Sequence, residues 1–393
     1  MRILVVTSRF PYGPGEAFLA PELAAHLESG ADVRVFPMLA KGGLIHVDAA
    51  AFAGRTDCGA LSASLVAAGR GLVASPAAVG RGIGFAGRAN SWAARRRNAA
   101  VVPRALALID VLRRFRPDHV HAHWGGASST IAMLAAETVG MPWSLTLHRW
   151  DIGANNLLER KLGSACFTRV ISESGGAAVR QVVPHAQLEV IHMGVRLSAL
   201  PDHDLARRPL RLVCVAGLVP VKDHLGLLAA FASVAADHDV SLDLIGGGPL
   251  EETIRAEIGR LDLRGQVRLL GSLSHAALLA RLRTGEWGGV VLASRADGPE
   301  HEGIPVSLME AMAAGIPVLG TDSGGTGELL GGGAGLLVPV NDFSALESAL
   351  RGFVSDDSMR VRLAAHGYAR IAESFDVVPL AARLRTRFAE CGG

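Results

Sequence analysis

Short apolar runs alternate with longer amphipathic stretches along this chain. "RILVVTS" (2–8) reads as a buried strand, followed by the polar Gly/Pro loop "RFPYGPGEAF" and a helical run, "LAPELAAHLESG", that ends at Gly30. "DVRVFPM" (32–38) is the next strand, so the opening is a βαβ pattern of a parallel sheet. Residues 40–100 are less regular and rich in Ala and Gly. The pattern resumes after a helix with "DHVHAHW" (118–124), "SLTLH" (144–148), "RVISES" (169–174) and "LEVIHMGV" (188–195). A polar interval with two prolines, "RLSALPDHDLARRP" (196–209), reads as an interdomain linker. A second series follows: "LRLVCVAG" (210–217), "VSLDLIGGG" (240–248), "VRLLGSL" (267–273), "GVVLAS" (289–294) and "IPVLGT" (316–321). The expectation is two successive α/β domains whose ligands bind beyond the carboxyl ends of the strands.

Length agrees, because 393 residues are long for one core and suit two domains. A net charge of +2 argues against a nucleic-acid binder driven by bulk electrostatics. Lysine occurs only as Lys41, Lys161 and Lys222 in a chain otherwise rich in Arg, so a lysine at a special position is informative. The run Arg95, Arg96, Arg97 reads either as a solvated helix face or as an attraction to an anionic membrane surface. Cys58, Cys166, Cys214 and Cys391 stand far apart, suggesting neither a zinc knuckle nor a disulfide framework and favouring a reduced, cytosolic location. The first residues enter a β-like run too soon for a signal peptide, and no uncharged apolar run approaches a membrane span.

The chemistry concentrates in "EGIPVSLMEAMAAGIPV" (302–318), where Glu310 is the only charge between Gly303 and Gly320. An unpaired buried carboxylate costs several kcal/mol, so something must compensate it. Pro305 suits the first helical position and Gly315 the C-terminal stop. The N–H groups of Gly303, Ile304, Val306 and Ser307 would then form an anion site at a helix N-terminus, with Glu302 on its lip and Glu310 on its wall. A phosphate cradle beside two carboxylates that accept from vicinal hydroxyls describes a nucleotide-sugar site; a buried Glu310 paired to an Arg is the plain alternative.

"EGIPVSLMEAMAAGIPV" followed by "GGTGELL" resembles the signature of the family 4 retaining glycosyltransferases of the GT-B fold, with Glu302, Glu310, Gly324, Gly325 and Glu328 in its pattern. "GLVPVKDH" (217–224), "DLIGGGPL" (243–250), "VRLLGSLSH" (267–275) and "GLLVPVNDFSALESAL" (335–350) extend the likeness over the second half. "FPYGPGEAFL", "VHAHW", "LTLHRWDI" and "VIHMGV" resemble exopolysaccharide-type members. The resemblance implies two Rossmann-like domains facing a central cleft: an acceptor-binding domain over 1–200, a donor-binding domain over 209–374, and a C-terminal helix over 375–393 packing back across them. It implies a hexosyltransferase moving sugar from a nucleoside diphosphate sugar to a hydroxyl acceptor, such as a polysaccharide, lipid-linked or secondary-metabolite intermediate. No metal or other cofactor is expected, and the mechanism is a same-face one. A nucleotide-sugar epimerase, a phosphorylase and an inactive binding subunit are the alternatives.

By that resemblance Glu310 would hold ribose hydroxyls, Glu302 hexose hydroxyls, and Lys222 the diphosphate. The backbone at Gly303, Ile304, Pro305 and Val306, with Gly217, Gly247, Gly271 and Leu273, would line the donor. The family often carries an Arg beside the lysine loop where this chain reads Ala216-Gly217-Leu218, so either another basic residue, such as Arg295, supplies that charge or diphosphate binding is weaker. On the acceptor side it implies Gly13, Gly15, Glu16, His123 and Asp151, with His148 at the reacting centre. His119, His121 and His123 alternate on one strand face, but no carboxylates at ligand spacing accompany them, so no metal is assigned. "GIGFAG" (82–87) lacks a preceding strand and is no dinucleotide fingerprint.

Overall fold

The computed structural model describes residues 1–12, 16–40, 48–57, 80, 84, 88, 92–197, 199–201, 203–206, 208–296 and 302–392. The chain divides into two compact units, Met1–Met193 with Val378–Gly393, and Gly194–Val377.

The first unit holds six parallel strands in the order β2-β1-β3-β4-β5-β6: β1 Arg2–Thr7, β2 Asp32–Pro37, β3 His119–His123, β4 Trp143–Leu147, β5 Thr168–Val170 and β6 Leu188–Val190. Side chains alternate across a strand, and β3 shows what that sorts. Val120 and Ala122 join the cluster built with Leu108, Leu112 and Ile131. His119 and His121 face the other way, where their rings meet Phe167 and Phe388. "RVISES" contributes only its first residues to a strand. Ser172 leaves it to cap the Glu173–Val182 helix, its Oγ accepting from Gly175 N at 3.0 Å.

The last helix, Val377–Glu390, belongs to the first unit. Leu384 and Phe388 are buried with Ile3, Leu19 and Leu23, and Arg387 Nε lies 2.5 Å from Glu189 Oε1. This return brings Cys391 onto Cys166, and the two form a disulfide across 225 residues. Cysteine spacing had suggested no such bond, because spacing registers only local pairs. The pairing removes that ground for a reduced compartment.

The second unit holds six parallel strands ordered β12-β11-β10-β7-β8-β9: β7 Leu210–Val215, β8 Val240–Ile245, β9 Val267–Gly271, β10 Gly289–Leu292, β11 Val318–Thr321 and β12 Leu336–Val338. Strand order reverses between β7 and β10, the switch point where open α/β sheets leave a crevice. Asp243, fully buried inside β8, is compensated by a two-pronged contact from Arg268, 2.7 Å at each nitrogen, and by Trp287 Nε1 at 2.8 Å. The expected linker is docked rather than loose. His203 Nε2 lies 2.8 Å from Ala314 O, the buried Arg360 donates to Leu205 O at 2.9 Å, and Arg208 pairs with Asp357 at 2.6 Å. Among the described residues no helix is long and apolar enough to cross a membrane.

Candidate active site

In the second unit, the loops after β7, β10 and β11 converge on Glu302. Lys222 ends the short Pro220–Lys222 turn after β7, and its ammonium is ion-paired to Glu302 Oε1. Ser294 Oγ, just beyond β10, donates to the same oxygen at 2.5 Å. Glu302 N donates to Ser323 Oγ at 3.1 Å, and Ser323 Oγ donates to Arg295 O at 2.7 Å. Arg295 N in turn donates to Val221 O at 2.8 Å, fixing the β10 loop to the lysine turn. The guanidinium of Arg295 lies 4.0 Å from Asp223, the residue that follows the turn.

The helix that follows is Val306–Ala313, with Pro305 as its N-cap rather than its first residue. Pro305 has an extended ψ of 111° while its carbonyl already accepts from Met309 N at 3.1 Å, which is what the cap position requires. Gly315, with φ +73°, follows the helix as its left-handed stop. Glycine is required where the loops touch. A Cβ on Gly246 (φ +151°) would sit 1.9 Å from Ala216 O, and one on Gly248 would sit 2.5 Å from Leu218 O. The loop carrying Gly247 therefore lies directly on the backbone of Gly217, with Leu218 N donating to Gly247 O at 3.0 Å. Gly271 closes the row, accepting from Gly246 N at 3.0 Å, and Leu273 is half-buried beside it. Gly303 has open space where a side chain would be.

Glu310 is buried, and its charge is met by a protein group. His275 Nε2, at the start of the His275–Leu282 helix, lies 2.5 Å from Glu310 Oε1. The expectation that only ligand hydroxyls would compensate it is corrected here. A histidine at a helix N-terminus 35 residues away carries no local sequence signal.

In the first unit, the loop after β1 closes on Glu16. Its carboxylate accepts from the backbone N–H of Ser8 (3.1 Å), Arg9 (2.6 Å) and Phe10 (2.7 Å), and from Trp124 Nε1 (2.5 Å) beyond β3. With four donors on two oxygens, Glu16 fastens this loop rather than offering a free carboxylate. Gly13 and Gly15 lie outside the described residues, as does most of "GIGFAG".

His148 follows β4 and caps the Arg149–Ala154 helix, with Asp151 Oδ2 accepting from its N–H at 2.8 Å. Its ring lies 4.3 Å from Trp124 and 5.4 Å from Phe18, centroid to centroid. Burial, then the neighbouring His123, hold its pKa well below the usual imidazole value, so it is neutral at pH 7. His123 Nδ1 lies 3.4 Å from His148 Nε2, and His123 Nε2 lies 3.5 Å from Glu22 Oε1. Glu22 and Arg169, both fully buried, pair at 2.6 Å. Burial alone would raise Glu22, but Arg169 and then His123 bring it well below the carboxylate range. Burial pushes Asp151 up to about 6 and Lys161 down to about 7. Lys161 Nζ donates to Gly125 O at 2.6 Å and Gly126 O at 2.8 Å.

Sequence reading missed Glu22, Arg169, Lys161, His275, Ser294 and Ser323. Only Lys161 had a signal, as one of three lysines in an Arg-rich chain. The strand histidines are held by protein groups, with His119 and His121 sharing Ser144 Oγ at 2.6 and 2.7 Å. His121 is held by Ser144 Oγ (2.7 Å) and Thr146 Oγ1 (2.8 Å), and His123 by Glu22 and His148.

Residues 200–370 match the family of glycosyl transferases group 1. Over 295 residues the chain is 30% identical to the GDP-mannose-dependent monoacylated alpha-(1-6)-phosphatidylinositol monomannoside mannosyltransferase of Corynebacterium glutamicum, covering 68% of this chain and 75% of that one. It is 31% identical over 172 residues to the amylovoran biosynthesis glycosyltransferase AmsK of Erwinia amylovora, covering 42% of each. The solved structure of HepE from Anabaena in complex with UDP superposes with a TM-score of 0.73 at 17% identity, covering 99% of this chain and all of that one. The two six-stranded parallel sheets are the Rossmann-like halves of the GT-B fold, and the chain belongs to the group 1 glycosyltransferases.

Proposed function

We propose that the protein transfers a hexose-type sugar, with retention, from a nucleoside diphosphate sugar to a hydroxyl acceptor. The observation that carries this reading is the convergence of Lys222, Glu302 and the open Gly303 backbone at the β7/β10 switch point. The GDP-mannose dependence of the mannosyltransferase relative and the complex of HepE with UDP support a nucleotide-sugar donor. Without donor, Lys222 is neutralised by Glu302; a diphosphate would draw the ammonium away and free the carboxylate for sugar hydroxyls. Glu310, oriented by His275, would accept from the ribose diol.

Among the described residues of the second-unit cluster none is placed as a covalent nucleophile, which supports a same-face path. The departing diphosphate would take the acceptor's proton, while Lys222, Arg295 and the N–H groups of Gly303, Ile304 and Val306 stabilise its charge without a metal. Neutral His148 would donate a hydrogen bond to a hydroxyl without adding charge. The exposed Arg95, Arg96 and Arg97 on the Trp92–Ala100 helix, beside exposed Trp92, support peripheral contact with an anionic membrane.

A panel of UDP-, GDP- and dTDP-sugars, incubated in EDTA with product stereochemistry read by proton NMR, tests this reading. Transfer or slow hydrolysis with an α-configured product from an α-donor is expected. A strict metal requirement or an inverted product would overturn the mechanism.

A further inference from the structure

Cys166 lies just before β5, Cys391 just after the Val377–Glu390 helix, and His119 opens β3. The two sulfurs and a ring nitrogen of His119 all lie within 4.8 Å of one another. The His119 ring is fully buried and stacked on Phe388 at 4.5 Å and Phe167 at 6.2 Å, each close in sequence to one of the cysteines. Its Nε2 meets Ser144 Oγ at 2.6 Å, whereas its Nδ1 has no hydrogen-bond partner among the described residues. A buried polar atom left so is costly and calls for an explanation.

The neighbouring hydrogen bonds favour one tautomer. Ser144 Oγ also meets His121 Nδ1 at 2.7 Å, and His121 Nε2 meets Thr146 Oγ1 at 2.8 Å. With its proton on Nε2, His119 donates to Ser144, Ser144 donates to His121 Nδ1, and His121 Nε2–H donates to Thr146. Each proton in that row then has an acceptor, and Nδ1 of His119 is left as a bare lone pair. An imidazole whose far nitrogen is fixed by a hydrogen bond is the usual arrangement of a metal-ligating histidine. Two sulfurs and one imidazole form a soft donor set suited to zinc-class cations.

We propose that, once the Cys166–Cys391 disulfide is reduced, both thiolates and His119 Nδ1 bind one thiophilic divalent cation. A dithiol reductant supplies two electrons and two protons: the S–S bond breaks, two thiols form, and the reductant leaves as its own disulfide. The cation then displaces both thiol protons to solvent and forms two metal–sulfur bonds and one metal–nitrogen bond, with water in the fourth position. Cys166 is exposed, so reductant and cation have a path in. Disulfide and cation exclude one another, and each ties the C-terminal helix to the segment before β5. His119 opens β3 whereas His148 follows the far end of β4, so this site stands apart from the proposed sugar chemistry.

The test uses the full chain, reduced with dithiothreitol, freed of it anaerobically, and titrated with cobalt(II). A thiolate-to-cobalt charge-transfer band saturating at one equivalent and quenched by zinc(II) is expected, and the oxidised chain should give none. Cys391→Ser should abolish the band. Ser144→Ala, which releases the outer hydrogen bond, should weaken zinc(II) affinity about tenfold or more. No band, a band unchanged in Cys391→Ser, or binding that is unmoved in both Ser144→Ala and His119→Gln overturns the proposal.

Discussion

Arg169→Leu is expected to destabilise the first unit selectively. The guanidinium is fully buried, donating to Glu22 at 2.6 Å, to Ile191 O at 2.6 Å, and to His192 O. Leucine fills part of the volume but leaves two carbonyls short of a donor and Glu22 without its cation, facing His123 at 3.5 Å. Removing one partner of a buried pair costs about 3–5 kcal/mol. For a unit of about 200 residues, each kcal/mol moves the melting temperature by about 2–4 °C, so a fall of about 6–20 °C is expected. Differential scanning calorimetry reads it, with the transition of the Gly194–Val377 unit staying in place. Glu22→Gln added to Arg169→Leu removes the stranded charge and should recover at least about 1 kcal/mol. A shift under about 2 °C, or strict additivity in the double variant, would refute the claim that Glu22 and Arg169 are coupled as a buried pair.

Acid should loosen the first unit by a calculable route. Burial lowers His26 to about 4 and His119 to about 3, so the unfolded chain takes up protons below pH 6.5 that the folded chain refuses. The stability is fully present above about pH 6.5 and is lost as pH falls toward 4, by up to about 3 kcal/mol for His26 alone. Asp151, raised to about 6, works oppositely between pH 6 and 4 and offsets part of the loss. A melting temperature flat from pH 7 to 4.5 would contradict this. Lys161→Met should cost about 1–3 kcal/mol in urea unfolding, because the Gly125 and Gly126 carbonyls lose their donor. Gly248→Ala forces a Cβ to 2.5 Å from a backbone carbonyl and should cost about 1–3 kcal/mol, whereas Gly303→Ala meets open space and should leave the melting temperature within about 1 °C while lowering donor affinity. Equal thermal effects of the two glycine changes would undo the loop argument.

What the sequence made legible is local. The strand runs, the glycines between them and the 302–318 stretch follow periodicity or turn chemistry, which act over a few residues, so β1, β7, β8 and the Val306–Ala313 helix stand near where their patterns place them. Long-range partners were not legible. Glu22 finds Arg169 across 147 residues and Glu302 finds Lys222 across 80, while Cys391 reaches Cys166 only because the last helix returns to the first unit. Glu16 illustrates the same limit. Its place in a Gly-rich loop was readable, but its saturation by three backbone N–H groups and Trp124 depends on the fold of that loop.

The division of labour between the two carboxylates is the centre of this account, and calorimetric titration of UDP and GDP into the wild type, Glu310→Gln and Glu302→Gln tests it most directly. Charged hydrogen bonds to a ribose diol are worth about 1.5–3 kcal/mol each, so Glu310→Gln should weaken the preferred nucleotide about 10- to 100-fold. Glu302→Gln releases Lys222 and should bind that nucleotide at least as tightly while losing transfer activity. Unchanged affinity in Glu310→Gln, or equal loss in both variants, would contradict the assignment.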